Sequence, residues 1–199
     1  MLILKKFLFC VPFGILLGHV VCRQGLMVDL ANIVVIINLE ARRSVKQMRA
    51  TLGHTGYYKK FIKIYAHITA PMEKLLKKDA TFCWNEECQQ SLDVLKEKMV
   101  TSLILVFPDW KKEFHVHVDG SCIVLTWVGE GELDHPIAFE SRKLSKGEKN
   151  YSTIEREWLA MVYTLQKFKH YLLGRHFKMY TDHSALKYLV NKPLLGRNM

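Results

Sequence analysis

Proline and glycine are sparse in this chain of 199 residues: five prolines and eleven glycines, scattered without period. Collagen-like and low-complexity architectures are thereby excluded, and no internal repeat is visible. Cysteine is present but unpaired in pattern. Cys10, Cys22, Cys83, Cys88 and Cys122 are odd in number and irregular in spacing. Cys83 and Cys88 have four residues between them, with no second Cys or His pair at zinc-ligand spacing. They read as free thiols of a reducing compartment rather than a disulfide framework. A long apolar run is also missing. Lys5-Lys6 precedes sixteen uncharged residues, Phe7 to Cys22, in the order of a signal peptide's basic and apolar regions. Pro12, Gly14, Gly18 and His19 interrupt that run, which falls short of the roughly 18 apolar residues of a membrane span. No small-x-small cleavage site follows cleanly, and buried strand is the competing reading. Acid is scarce at one end only. Residues 1–78 carry 13 Lys/Arg against 3 Asp/Glu, a net of +10, whereas residues 79–199 carry 16 of each. A polyanion is therefore expected beside the N-terminal part, nucleic acid before an anionic membrane surface.

What is present suffices for a folded core, at 49% hydrophobic and 24% charged residues, so wholesale disorder is excluded. Residues 1–39 read as β-rich and apolar, with a turn at Arg23-Gln24-Gly25. Residues 44–64 read as a basic helical segment with Ser44 as N-cap. Thr69-Ala70-Pro71 breaks the chain before a short helix from Met72 to Lys78. Asn85 caps the next helix. Glu86 and Glu87 lie in its first turn and Lys96 and Lys98 near its end, the order the helix dipole favours. Its apolar stripe is Cys88, Leu92, Leu95 and Met99. Phe107-Pro108-Asp109-Trp110 marks a boundary, with Trp84 and Trp110 as packing anchors.

Beyond it the period changes to two. Phe114, Val116 and Val118 face one way, and His115, His117 and Asp119 the other. Strands are expected at Ile123 to Val128 and His135 to Phe139. Ser152 to Glu155 forms a capping box for a long helix, whose expected buried stripe is Trp158, Met161, Val162, Leu165 and Leu172. Gly174 ends it, Phe177 to Thr181 is a further strand, and His183 to Val190 reads as helical. The order β-β-β-α-β-α indicates an α/β layer structure.

Three acids occupy positions suited to chemistry. Asp119 and Asp182 end strands, and Glu157 lies in the first turns of the long helix. Carboxylates converging from two strands and a helix suit a hard divalent cation, and sites in open α/β sheets form at the carboxyl ends of strands. His115, His117 and Asp119, sharing one strand face, offer a competing set for a single transition metal.

A series of motifs stands in fixed order along the chain: Tyr57-Tyr58-Lys59-Lys60-Phe61-Ile62, Phe107-Pro108-Asp109, His135-Pro136-Ile137-Ala138-Phe139, Ser141-Arg142-Lys143-Leu144-Ser145, Asn150-Tyr151-Ser152-Thr153 and Thr181-Asp182-His183-Ser184-Ala185-Leu186. Taken together they resemble the polyprotein of gypsy-type LTR retrotransposons, from the last part of the reverse transcriptase into the ribonuclease H domain. The resemblance implies an α/β, ribonuclease H-like mixed sheet with flanking helices, truncated, behind a small α+β palm-end, thumb and connection segment. Residues 1–40 would end the palm, 41–110 form the thumb and connection, and 111–199 the incomplete ribonuclease H-like domain. It further implies Asp119, Glu157 and Asp182 as catalytic ligands of two magnesium ions, with manganese as the alternative. The reaction would be hydrolysis of the RNA strand of an RNA–DNA hybrid, with His183 supporting the site. Arg42, Arg43, Lys46, Arg49, Lys59, Lys60 and Lys63 would then follow the duplex, where affinity comes largely from phosphate neutralisation.

The remaining polyprotein is a second implied partner, no membrane is expected, and the cytoplasm or nucleus is favoured over secretion. The departures from the family are equally specific. No Tyr-x-Asp-Asp polymerase motif occurs, and the chain stops before the family's last strand, terminal helix and fourth metal-binding acid. The stretch Ser121 to Gly129 reads as a scrambled second strand, lost or re-registered. Glu140 replaces the family's usual alanine, and Gly147 lies in a segment that normally carries alanine. The competing functional reading is a catalytically dead remnant that binds duplex nucleic acid.

Overall fold

The computed structural model describes residues 12–78, 80–119, 122–128 and 134–182. It begins with a three-stranded antiparallel sheet, β1 (Phe13–Leu16), β2 (His19–Cys22) and β3 (Gly25–Val28). Leu17 and Gly18 turn the first hairpin at φ 49° and 72°, the left-handed pair that matches strand twist in a two-residue loop. At Gly25, φ is 143° and a Cβ would collide with the Leu105 carbonyl oxygen. That close approach lets Leu26 and Leu105 exchange two backbone hydrogen bonds, 2.7 and 3.0 Å. The apolar run is therefore strand here, but its outer strand is not buried: Phe13 is 63% exposed.

The next apolar run departs from the β-rich expectation. Leu30–Ile37 is a helix, α1, started by Asp29, whose carboxylate accepts from the Ala31 N–H. Its β-branched residues read as strand, yet a capped helix that buries Ile36 in the core overrides that weak propensity. Four more helices follow: α2 (Val45–Gly56), α3 (Tyr65–Ile68), α4 (Ala70–Lys74) and α5 (Glu86–Val100). Ser44 caps α2 as expected, but a 3-10 turn at Lys59–Phe61 ends the basic segment's regularity before residue 64. Pro71 sits in the first turn of α4, so that helix starts before Met72. Asn85 caps α5, and Cys88, Leu92, Leu95 and Met99 are buried, as their spacing predicts. With Met48, Phe61, Ile62, Met72 and Leu105 they build a helical core.

The second layer system is a four-stranded mixed sheet. Strands β4 (Phe114–Asp119), β5 (Cys122–Val128) and β6 (Asp134–Ser141) pair antiparallel, and β7 (Phe177–Thr181) joins β4 in parallel. The order is β6-β5-β4-β7. The second strand is not lost. β5 pairs with β4 from Phe114↔Trp127 to Asp119↔Cys122, so β4 is flanked on both sides. The irregularity lies instead between β5 and β6, where Leu125↔Ala138 gives way to Thr126↔Pro136. Pro136 has no N–H to give the ladder, and its carbonyl accepts from Val106 at 2.9 Å.

Two helices cross between β6 and β7, α6 (Thr153–Lys167) and α7 (Lys169–Leu172), and Gly174 follows at φ 73°. The capping box at Ser152 and Glu155 is complete. The buried stripe of α6 is not the expected one. Trp158, Val162 and Leu165 are 40, 46 and 41% exposed, whereas Glu157, Ala160 and Thr164 are buried. Small residues allow the helix to approach β4 closely, and the Thr164 hydroxyl is satisfied by donating to the Ala160 carbonyl at 2.6 Å. Phe114, Val116, Val118, Leu125, Ala160, Phe168 and Leu172 make the sheet core.

The two cores are joined through β6. Phe139 enters the helical core, and Val124 packs against it. Glu140 accepts from Lys59 at 2.9 Å, the Ser141 hydroxyl accepts from the Ala66 N–H at 2.9 Å, and Lys143 donates to Glu73 at 2.7 Å. Trp110 packs on Phe114 and Tyr171, and Trp84 against the helical core, as anchors. Among the described residues no helix is long and apolar enough to cross a membrane. Lys5, Lys6 and Cys10, together with His183 and the helix expected over 183–190, lie outside the described residues.

Candidate active site and a neighbouring histidine cluster

Strand β4 alternates strictly: Phe114, Val116 and Val118 are buried, while His115 and His117 are half-buried and Asp119 is exposed. Its parallel register with β7 runs from Phe114↔Phe177 to Val118↔Thr181. Asp119 and Asp182 follow that last pair, so two carboxylates stand at neighbouring carboxyl ends of strands spaced about 4.8 Å apart. Both are exposed. Glu157 is 8% exposed on α6, the helix packed on β4. Three hard oxygen donors from these elements fit a divalent cation such as magnesium in kind. Their donor atoms do not form one group within 4.8 Å.

Glu157 also lines a cavity of ≈ 800 Å³. Six cations line it, Lys74, Lys77, Lys143, Lys146, Lys149 and Arg156, against Glu73 and Glu157. This basic cluster is absent from the sequence reading, because residues 79–199 balance to zero overall. The available signal was the spacing of three between Lys143, Lys146 and Lys149. Beside it, Arg142 pairs with Glu148, and that guanidinium together with the Ser145 N–H holds the Glu148 carboxyl down at about 2. Tyr163 donates to Glu140 at 3.1 Å, and burial first, then the Glu140 charge, pushes its hydroxyl up to about 12.

The expected duplex-binding residues differ in availability. Arg43, Lys46, Arg49 and Lys63 are exposed, and Arg42 is half-buried. Lys59 is held by Glu140 in an ion pair of 2.9 Å. Lys60 lies over the Phe61 ring at 5.4 Å, and burial lowers its ammonium.

The transition-metal set expected of His115, His117 and Asp119 is corrected in its third member. Asp134, at the start of β6, receives both imidazoles: His115 Nδ1 lies 3.1 Å from one oxygen and His117 Nε2 2.6 Å from the other. Asp119 is not in this group. The pleat puts His115 and His117 on one face of the sheet, where Asp134 reaches both, whereas Asp119 lies further along, at the end of β4.

Residues 84–179 match the family described as the RNase H-like domain found in reverse transcriptase. Among curated proteins, the chain is similar to the retrovirus-related Pol polyprotein from transposon 297 of Drosophila melanogaster, 39% identical over 176 residues. That match covers 88% of this chain and 16% of the polyprotein. The Pol polyprotein from transposon 412 of the same organism is 35% identical over 176 residues, covering 87% of this chain and 14% of that protein. The foamy viral protease-reverse transcriptase, solved in complex with RNA/DNA hybrid, has the same fold at a TM-score of 0.81 and 20% identity, over 98% of this chain and 27% of that one. Fold and sequence thus define an RNase H-like domain of the reverse-transcriptase class. The chain's homologues are retrotransposon Pol polyproteins, and it spans about one sixth of the length of the curated ones it matches.

Proposed function

We propose that this chain is the nuclease segment of a retroelement reverse transcriptase, hydrolysing the RNA strand of RNA–DNA hybrids. One observation carries the reading: the parallel register of β4 and β7, which sets Asp119 beside Asp182, with Glu157 on the helix packed over β4. Two magnesium ions held there would activate a water and stabilise the leaving oxygen of a phosphodiester; manganese is the alternative ion. Asp119, Glu157 and Asp182 supply charge and hard oxygen donors at the strand ends. The cations of the neighbouring cavity favour an approaching phosphate next to Glu157, and Arg42, Arg43, Lys46, Arg49, Lys60 and Lys63 extend the positive field along a duplex, where Lys59 is spent on Glu140. In this reading residues 1–40 are the palm end, 41–110 the thumb and connection, and 111–199 the nuclease. The remaining polyprotein is the partner, and the setting is cytoplasmic or nuclear.

A second reading, binding without catalysis, is favoured by the spread of the three acids. Purified chain incubated with a labelled RNA–DNA hybrid, with and without magnesium, separates the two. Metal-dependent cleavage of the RNA strand alone, lost in Asp119→Asn, supports the nuclease. Salt-sensitive hybrid binding by the folded chain without cleavage supports the second reading.

A further inference from the structure

We propose that His115, His117 and Asp134 form a binding site for one borderline transition-metal cation of the zinc class, separate from the oxygen-only site at the strand ends. The three donor atoms lie within 4.8 Å of one another. Two imidazoles and a carboxylate are the ligand types such a cation takes, at about 2.0–2.2 Å from each donor, leaving a fourth position for water. Those bond lengths put donors about 3.3 Å apart in a tetrahedron. The imidazole nitrogens lie 3.1 and 2.6 Å from different oxygens of Asp134, so one oxygen serves both after a small rotation of the carboxylate. Each imidazole now contacts its own carboxylate oxygen, and a bound cation would take the place of the protons in those two contacts, which leave to solvent.

The surroundings are set for the same geometry. Tyr180 on β7 stacks on the His117 ring, with centroids 5.0 Å apart and planes 12° from parallel, and meets His115 edge-on at 5.0 Å. Both rings are thereby limited in rotation. The far nitrogen of His115, Nε2, is buried without a hydrogen bond and faces a Glu113 oxygen at 3.8 Å. Glu113 is itself held by Lys178 at 2.7 Å. A cation on Nδ1 fixes the His115 proton on Nε2, directed at that carboxylate, the arrangement in which a second carboxylate orients a metal-bound histidine. Bound metal would pin β6 to β4 across the intervening strand.

The test measures zinc stoichiometry and affinity by competition with a chromophoric chelator, on the full chain in excess magnesium. Magnesium fills oxygen-only sites and competes poorly for imidazole. Wild type is expected to bind one equivalent more than His117→Asn, and Glu113→Gln to retain that equivalent about tenfold more weakly. Circular dichroism establishes that each variant folds, and Asp134→Asn serves in place of His117→Asn should the latter fail. Cys83→Ser, which removes an exposed thiol, is expected to keep the equivalent. Cobalt substitution adds an independent readout, a nitrogen and oxygen ligand field free of thiolate charge transfer. Equal zinc stoichiometry in wild type, His117→Asn and Asp134→Asn, or a bound cobalt whose spectrum is thiolate in origin, overturns the proposal. Neither readout depends on cleavage, so failure of the nuclease reading leaves this one standing.

Discussion

The two faces of β4 differ in what they ask of their neighbours. Phe114, Val116 and Val118 need only volume and dryness, which α6, β5 and α7 supply. Of His115, His117 and Asp119, the histidines have a partner from another strand in Asp134, whereas Asp119 is exposed just past the last register pair of β4 with β7. Six consecutive residues thus anchor the sheet on one face and offer a nitrogen-rich cluster on the other. The apolar face tolerates any substitution that keeps shape, whereas the polar face is specified by contacts that have little bearing on stability.

The contrast is broken most directly by Phe114→Ala. Removing a fully buried ring should cost about 3–5 kcal/mol, read from urea unfolding; a loss below about 1 kcal/mol would mean the apolar face is not the anchor. Asp119→Asn should sharpen the contrast from the other side. Hybrid cleavage should fall on the order of 100-fold or more, with the urea midpoint unmoved because the side chain is exposed. A smaller test concerns the helix that covers the apolar face. Ser152→Ala removes the cap of α6 and should cost about 1 kcal/mol in the same assay.

The smallest effect is one of pH. Glu148, drawn down to about 2 by Arg142 and the Ser145 N–H, binds a proton less readily folded than unfolded. Its contribution is therefore fully present above the ordinary 4.5 and lost as pH falls through about 2. Carboxyl NMR titration should find Glu148 near 2 in wild type and back toward 4.5 in Arg142→Ala.

Much of this fold is legible in the residues. The helix from Glu86 to Val100 advertises its cap, its charge order and its stripe, and β4 its alternation, because both signals are local. Asp119 and Asp182 are legible as strand ends. The misreadings have a shared physical cause: the deciding partner is remote in sequence. Leu30–Ile37 is helical because a core built from distant residues receives Ile36, which its β-branched composition does not show, whereas its cap, Asp29, is adjacent. The face of α6 was misread because apolarity marks Trp158, Val162 and Leu165, while close approach to a sheet selects Ala160 and Thr164. Asp134 carries no motif, and only pairing of β6 with β5 brings it to the histidines. The basic cavity was hidden for a related reason, since Lys74 and Lys77 join Lys143, Lys146 and Lys149 only in space.

The three successive clasps from Glu140, Ser141 and Lys143 to the helical half, with Phe139 seated in its core, have a consequence for how the molecule comes apart. A peptide bond cut between Phe107 and Lys112 would sever the chain at its thinnest crossing, yet the pieces would stay mated through β6. Such halves, produced separately, would reassemble on mixing, so the passage from helices to sheet is no boundary between independent units.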